Sequence, residues 1–169
     1  MTVTSSHDRV FTKAPVFTAP ELTDYLHRHI PVSAAMGLAV AQINWDGCTL
    51  VFPLRPNLNH NASAFGGSLS SALMLAGWSL VHSRLRHHGH DFVLVVSRSE
   101  TQFIRPVEGN FRALSAPVAE KDWDFFSSCL ERRGRGKLRL RTRVECEGQI
   151  AATMSGSFVA MTRETTSPA

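Results

Sequence analysis

Residues 57–77 read Asn-Leu-Asn-His-Asn-Ala-Ser-Ala-Phe-Gly-Gly-Ser-Leu-Ser-Ser-Ala-Leu-Met-Leu-Ala-Gly, and their reading decides the fold. The stretch opens as a polar loop and passes through Gly66-Gly67 into a run with no charged side chain from Ala64 to His82. A surface helix keeps a polar face, so an uncharged helix of this length must be wrapped by the rest of the chain. Each glycine in its first turn costs about 1 kcal/mol in helix propensity. What the pair permits is close approach to backbone N–H groups that a helix N-terminus leaves without partners. Such an end suits a carbonyl or another electron-rich group.

Upstream, Thr18-Ala19-Pro20-Glu21 has the form of a capping box. Leu22, Tyr25, Leu26 and His29 or Ile30 follow at helical spacing until Pro31 stops the run. Met36 to Trp45 and Cys48 to Leu54 read as two strands joined at Asp46-Gly47, and Pro53 and Pro56 end the second. Asn57 to Asn61 form a loop. Ser63 or a neighbour is expected to cap the long helix, which should run to about His87.

Downstream, His88-Gly89-His90-Asp91 turns the chain into a strand from Phe92 to Arg105. Pro106 and Gly109 make the next turn, and Asn110 to Val118 returns as a strand. Lys121 to Arg133 fits either a short helix or an extended loop. Lys137 to Glu147 alternates strictly, with Leu138, Leu140, Thr142, Val144 and Cys146 set against Lys137, Arg139, Arg141, Arg143 and Glu145. That is a strand with one wet face. Glu147-Gly148 then turns it into a last strand, Ile150 to Met161. The expected organisation is a flexible arm over 1–17, one domain over 18–162 and a tail over 163–169.

A length of 169 residues, 43% hydrophobic and 19% charged, fits one soluble globular domain with a genuine core. Cys48, Cys129 and Cys146 are odd in number and widely spaced, which indicates neither a disulfide framework nor a zinc site. With no secretory pattern and no bilayer-length apolar run, a cytoplasmic protein is expected. The net charge of +4 favours an anionic partner such as nucleic acid, an acidic carrier protein or a phosphorylated cofactor. Not one Asp or Glu lies between Asp46 and Asp91, and this limits the chemistry available around the glycine pair.

The element order is a helix, two strands, the long apolar helix and four mostly antiparallel strands. A strongly curved sheet around one central helix satisfies it, an α+β architecture. In this it resembles the hotdog fold, a six-stranded antiparallel sheet wrapped around a long helix. The resemblance within the thioesterase superfamily is nearest to the putative-thioesterase family found as the C-terminal domain of some two-domain YiiD-type acetyltransferases. It rests on Asn59-His60-Asn61, Ala64-Phe65-Gly66-Gly67-Ser68-Leu69, Ala76-Gly77-Trp78, Arg105-Pro106-Val107 with Gly109, and Gly134-Arg135-Gly136. It covers roughly residues 20 to 162.

The resemblance implies a homodimer or dimer of dimers with its sites at subunit interfaces. It implies a substrate thioester of coenzyme A or of an acyl-carrier protein, with coenzyme A present only as part of the substrate and no separate cofactor. The N–H of Gly66 or Gly67 would bind the thioester carbonyl oxygen, with the acyl chain in an apolar tunnel beside the helix. In the better-known Gly-Gly thioesterases an Asp or Glu follows the pair by about two helical turns. Met74 holds that position here, or Leu73 in the neighbouring register, and Phe65 stands where those enzymes have His. Asn59 matches a loop residue that they use near the attacking water.

Each candidate also has a plainer reading. Gly66 and Gly67 could serve helix–sheet packing alone, and Asn59 and His60 could be turn residues. His60 otherwise offers an imidazole as general base. Ser63 reads as a cap more readily than as a nucleophile. Ser68 and Ser71 either bond back to the preceding turn or hold a water where the carboxylate would sit. Glu100 is either part of an exposed ladder with Arg98 and Gln102 or a carboxylate delivered across the dimer interface. Alternation places Thr101, Phe103 and Arg105 on its opposite face.

Arg105, Arg112, Arg132, Arg133, Arg135 and Lys137 are candidates for the phosphates of coenzyme A or an acidic carrier, whereas Arg139, Arg141 and Arg143 read as a solvated strand face. His82, His87, His88 and His90 suit the dipole at a helix C-terminus, and no metal is expected. The reading is therefore an acyl thioester hydrolase that uses an activated water. Alternatives are a non-catalytic acyl-thioester binder and a hydratase or dehydratase for which no acid–base pair assembles. No membrane or nucleic-acid partner is expected, the latter because Trp45, Trp78 and Trp123 do not alternate with the arginines as stacking platforms would.

Overall fold

The uncharged run folds as one helix, α3, with six strands curved around it. The computed structural model describes residues 16–86 and 92–163. In chain order the elements are α1 (Ala19–His29), α2 (Pro31–Ala35), β1 (Ala39–Ile43), β2 (Cys48–Phe52), α3 (Gly66–Arg86), β3 (Phe92–Phe103), β4 (Phe111–Ser115), α4 (Glu120–Arg133), β5 (Arg135–Cys146) and β6 (Gln149–Thr162). The sheet is antiparallel in the order β1-β2-β4-β5-β6-β3, which leaves β1 and β3 as its edges. This is the hotdog arrangement. None of the described helices is long and apolar enough to cross a membrane.

Thr18 caps α1 as a full capping box: its hydroxyl accepts from the Glu21 N–H, and the Glu21 carboxylate accepts from the Thr18 N–H at 2.8 Å. The β1–β2 turn is organised by Asn44, whose Oδ1 accepts from the N–H groups of Asp46 and Gly47, both at 2.9 Å. At the β5–β6 turn Glu147 and Gly148 both take positive φ, 51° and 76°, the signature of a type I′ hairpin.

Two features depart from the sequence expectations, and one segment left open between helix and loop is decided. The short helix α2 occupies residues 31–35, after the Pro31 that stops α1. Lys121–Arg133 resolves as helix, extended by one residue to Glu120: Trp123, Phe126 and Leu130 form its buried stripe, and Gly134 ends it in the left-handed region at φ 65°. Phe17, inside the expected flexible arm, packs on the domain, with its ring 5.6 Å from Tyr25 and 5.9 Å from His82.

The core lies between α3 and the sheet. From Leu75 to Leu85 every α3 residue except Trp78 is buried. Gly77 is there by necessity, because a Cβ would stand 2.5 Å from Phe158 Cζ and 2.9 Å from Leu140 Cδ1. The first charge of the helix, Arg84, is itself buried at 2% exposure. Its Nε donates to the Trp45 carbonyl at 2.8 Å, Nη2 donates to the same oxygen, and its guanidinium stands 4.4 Å from the Trp45 ring and 5.0 Å from Trp123. Burial lowers its pKa to about 10, so it stays charged and joins α3 to the β1–β2 hairpin and α4.

Among the described residues no cluster of His, Cys, Asp or Glu suited to a metal occurs. His87, His88 and His90 lie outside the described residues. The His82 ring sits in an aromatic box, 4.4 Å from Trp78, 4.9 Å from Tyr25 and 5.6 Å from Phe92. Neither ring nitrogen has a hydrogen-bond partner among the described residues. Burial first, then the charges of Arg86 and His29, push its pKa from 6.5 down to about 4. Unfolded chains therefore bind a proton here that the folded protein refuses. Stability present above pH 6.5 falls as pH drops toward 4, by roughly 1.4 kcal/mol per pH unit. Urea unfolding at neutral pH and near pH 4.5 should show a loss on the order of 2 kcal/mol from this group. His82→Phe should flatten that part of the acid limb; an unchanged limb would refute the assignment.

Candidate functional site

The polar loop before α3 is closed by a bridge between Leu58 and Ala64 and held by one side chain, Asn59. Its Nδ2 donates to Ser63 Oγ at 3.0 Å and to the Ala64 carbonyl at 3.5 Å. Its Oδ1 accepts from the Asn61 N–H at 2.8 Å and the Ser63 N–H at 3.3 Å. Both donors and both acceptor sites of the amide are thus engaged within the loop. The side chain of Asn59 braces the loop that leads into α3. Ser63 is a partner of Asn59 rather than the helix cap. His60 is exposed in the turn and makes no hydrogen bond among the described residues.

Two backbone bonds set the start of α3. Ala64 N–H donates to the Val107 carbonyl and Phe65 N–H to the Asn57 carbonyl, each at 2.7 Å. Buried Asn57 is in turn anchored, its Nδ2 donating to the carbonyls of Met36 at 2.9 Å and Pro53 at 2.8 Å. The helix ladder then resumes with Leu69 N–H on the Phe65 carbonyl at 3.1 Å. Between these, the N–H groups of Gly66, Gly67 and Ser68 have no partner among the described residues. Three adjacent donors at a helix N-terminus form a site for a carbonyl oxygen or an oxyanion.

Two exposed phenyl rings border these donors, and the exposed Ile104 follows one of them in the chain. Phe65 is 57% exposed, Phe103 56% and Ile104 55%. A Cβ on Gly67 would fall 2.2 Å from Phe65 Cε1, so the ring of Phe65 rests against that residue. At Gly66 the nearest side-chain atom to a Cβ would be Phe103 Cζ at 3.5 Å, an ordinary contact. The glycines therefore differ: Gly67 makes room for Phe65, and Gly66 is open. Phe103 and Ile104 carried no candidate role in the sequence. The signal was available in the alternation that sets Phe103 on the face opposite Glu100.

Gly67, Ser71, Met74 and Trp78, spaced at three and four residues, form the half-buried stripe of α3. Ser68 and Ser71 are half-buried, and no hydrogen bond of either hydroxyl occurs among the described residues. Glu100 is elsewhere. It pairs with Ser155 while Thr101 and Phe103 pair with Met154 and Ala152, residues buried under α3. The only β3 irregularity lies between Val96 and Arg98, so alternation holds Glu100 on the outer face of the sheet.

The six candidate phosphate-binding cations are not gathered at this end. Arg105 follows Phe103 and Ile104 and borders a cleft of about 250 Å³ with Glu108, Cys146 and Glu147. Arg112 lies on the outer face, paired with Glu145 at 2.9 Å. Arg132 and Arg133 end α4. Arg135 and Lys137 begin β5 opposite Met161 and Val159, whereas Phe103 shares its row with Ala152 and Val144. Seven strand residues separate Lys137 from Val144, roughly 23 Å. Those four cations therefore lie toward the far end of β5 from the Phe103 row.

A family profile described as Putative thioesterase (yiiD_Cterm) matches residues 19–162. The chain belongs to this thioesterase family. A solved structure of a protein of unknown function from Chlorobaculum tepidum is similar at 26% identity and a TM-score of 0.82, over 89% of this chain and 98% of that one. A protein from Shewanella oneidensis described as a putative thioesterase matches at 24% identity and 0.76, over 85% and 96%. One from Pseudomonas aeruginosa described as a probable thioesterase matches at 21% and 0.73, over 90% and 100%. The last two likenesses are of fold. Met74, the position at which the sequence resemblance leads one to look for a carboxylate, lies on the half-buried stripe of α3.

Asn59→Ala should lower unfolding free energy by about 2 kcal/mol, since it removes a loop keystone with four hydrogen bonds. Asn59→Asp should lose about half as much, because it keeps the acceptors. A variant of unchanged stability would show that the side chain is free for another task.

Proposed function

We propose that this thioesterase-family protein hydrolyses an acyl thioester carried by coenzyme A or an acyl-carrier protein. The observation that carries the proposal is the set of unpartnered N–H groups at Gly66, Gly67 and Ser68 beside exposed apolar side chains. The thioester carbonyl oxygen sits on these donors and the acyl group lies against Phe103 and Ile104, with the Phe65 ring turned aside. Water adds to the carbonyl carbon and charge develops on the oxygen, where the donors stabilise it most. The tetrahedral adduct collapses, the C–S bond breaks, and the thiolate leaves with a proton to give a carboxylic acid and a free thiol. Ser68 and Ser71 hold the water, and His60 is the imidazole of this segment that takes its proton. Arg105 faces the phosphates of the carrier arm.

The working unit in this proposal is a homodimer. β3 pairs with β6 on one side only, and its twelve residues leave a row of backbone donors and acceptors open at the sheet edge. A second copy adding its own β3 would satisfy them. A cytoplasmic setting agrees with three free thiols, one of which, Cys48, burial pushes up to about 12. A second reading, a binder that holds the thioester without cleaving it, is favoured by Met74 and by the distance of Glu100 from the helix end.

Thiol release from short, medium and long acyl-CoAs, followed with a colorimetric thiol reagent, separates the two readings. Gly66→Ala should cut kcat/KM at least about tenfold by crowding the donors, while improved helix propensity keeps the fold intact. His60→Ala should lower kcat with little change in KM. Tight binding with no release above the uncatalysed rate would establish the binder instead. Light scattering should give a dimer mass, and a monomer would remove the β3 pairing.

A further inference from the structure

The sheet face turned away from α3 carries a row of cations. Arg135, Lys137, Arg139, Arg141 and Arg143 alternate along β5 with residues buried on the α3 side. Successive members stand about 7 Å apart. Arg98 of β3 shares the row of Arg139, both opposite Ser157. Arg143 is held by Glu145 at 2.6 Å, and the same carboxylate holds Arg112, forming a clamp in which the two guanidiniums keep the Glu145 carboxyl below its ordinary pKa. The other four cations of β5 make no ion pair or side-chain hydrogen bond among the described residues.

Two clefts flank this clamp. One, of about 570 Å³, is lined by the apolar Ala39, Val51, Phe52, Pro53 and Phe111 together with Arg112, Glu145 and Glu147. Ala39, Val51, Arg112 and Glu145 form one cross-strand row, which places the cleft on the outer face. The other, of about 500 Å³, is lined by Gln102, Leu114, Arg141, Arg143 and Thr153, with the single carboxylate of Glu100 among its lining residues. An apolar hole, a polar groove and a line of free cations thus share one surface.

The possible occupants differ in how much of this they use. A nucleic-acid backbone would use the cations but leave the apolar cleft empty, and among the described strands no aromatic residue alternates onto the outer face to stack a base. A second copy turned about a two-fold onto this face would set cations against cations. An acidic protein with an apolar anchor uses every part, since interfaces draw affinity from a buried anchor and selectivity from complementary charge. We propose that the outer face of the sheet docks an acidic protein segment, which places an apolar side chain in the Val51–Phe111 cleft and carboxylates along the unpaired Arg139 and Arg141. Docking here leaves the Gly66 end of α3 open on the other side of the sheet.

The test uses the full chain and a fluorescein-labelled, glutamate-rich peptide with one central leucine, titrated by fluorescence anisotropy. Replacing that leucine by alanine should weaken binding several-fold. The Arg139→Glu, Arg141→Glu double variant should weaken it at least about tenfold with an unchanged melting temperature. Val51→Lys decides between charge and fit: it adds a cation yet should weaken binding, because it fills the cleft. Stronger binding by Val51→Lys, indifference to the leucine, or no peptide binding at all would overturn the proposal. So would a labelled DNA duplex that displaces the peptide with the same arginine dependence.

Discussion

The ring of Phe158 occupies the space that Gly77 on α3 and Gly156 on β6 leave empty, and the rest of the structure depends on that contact. A Cβ on Gly77 would lie 2.5 Å from the ring and one on Gly156 would lie 2.9 Å from it. At that separation the helix is pressed onto the sheet, and its facing side chains have no water to meet. Uncharged residues are the ones that tolerate this, because burying an unpaired charge costs several kcal/mol. The one charge admitted to the buried length, Arg84, comes with its own carbonyl partner and two indole rings.

A helix held that firmly presents its N-terminus in a fixed place. Ala64 and Phe65 are tied to the backbone of Val107 and Asn57, so the next three N–H groups are aimed by bonds made on either side of them. Donors positioned before a reaction need no reorganisation during it, which is why such sites stabilise developing charge efficiently. The same tethering explains Asn59. A loop that must deliver the chain into α3 at one angle needs an internal strut, and the amide spends all its hydrogen-bonding capacity there.

The sheet separates two kinds of surface. Its concave side is apolar, suited to an acyl group. Its outer side collects the arginines of β5 with Arg98 and Arg112, and its carboxylates include Glu145, clamped between two of them. Strand alternation produces this division automatically, since neighbouring residues point to opposite faces. A chain can therefore carry a strongly basic strand without placing charge in its core.

What the sequence by itself determined was whatever depends on local pattern. The charge-free run could only be a buried helix, the Thr18 box starts α1, and the β5 alternation assigns each of its residues to a face. The family motifs pointed to the same architecture and to the glycine-flanked helix end. Only the tertiary structure decided matters of distance. Lys137 and Gly66 are both beside glycines in motif-like segments, yet the length of β5 holds them apart. That Asn59 braces its own loop through Asn61, Ser63 and Ala64 is visible only in the folded chain. Gly66 and Gly67 read alike until Phe65 lay on one of them. Lys121–Arg133 was undecided because its stripe of Trp123, Phe126 and Leu130 gains its stabilisation from β5 and α3, and burial against another element is not written in the segment that undergoes it.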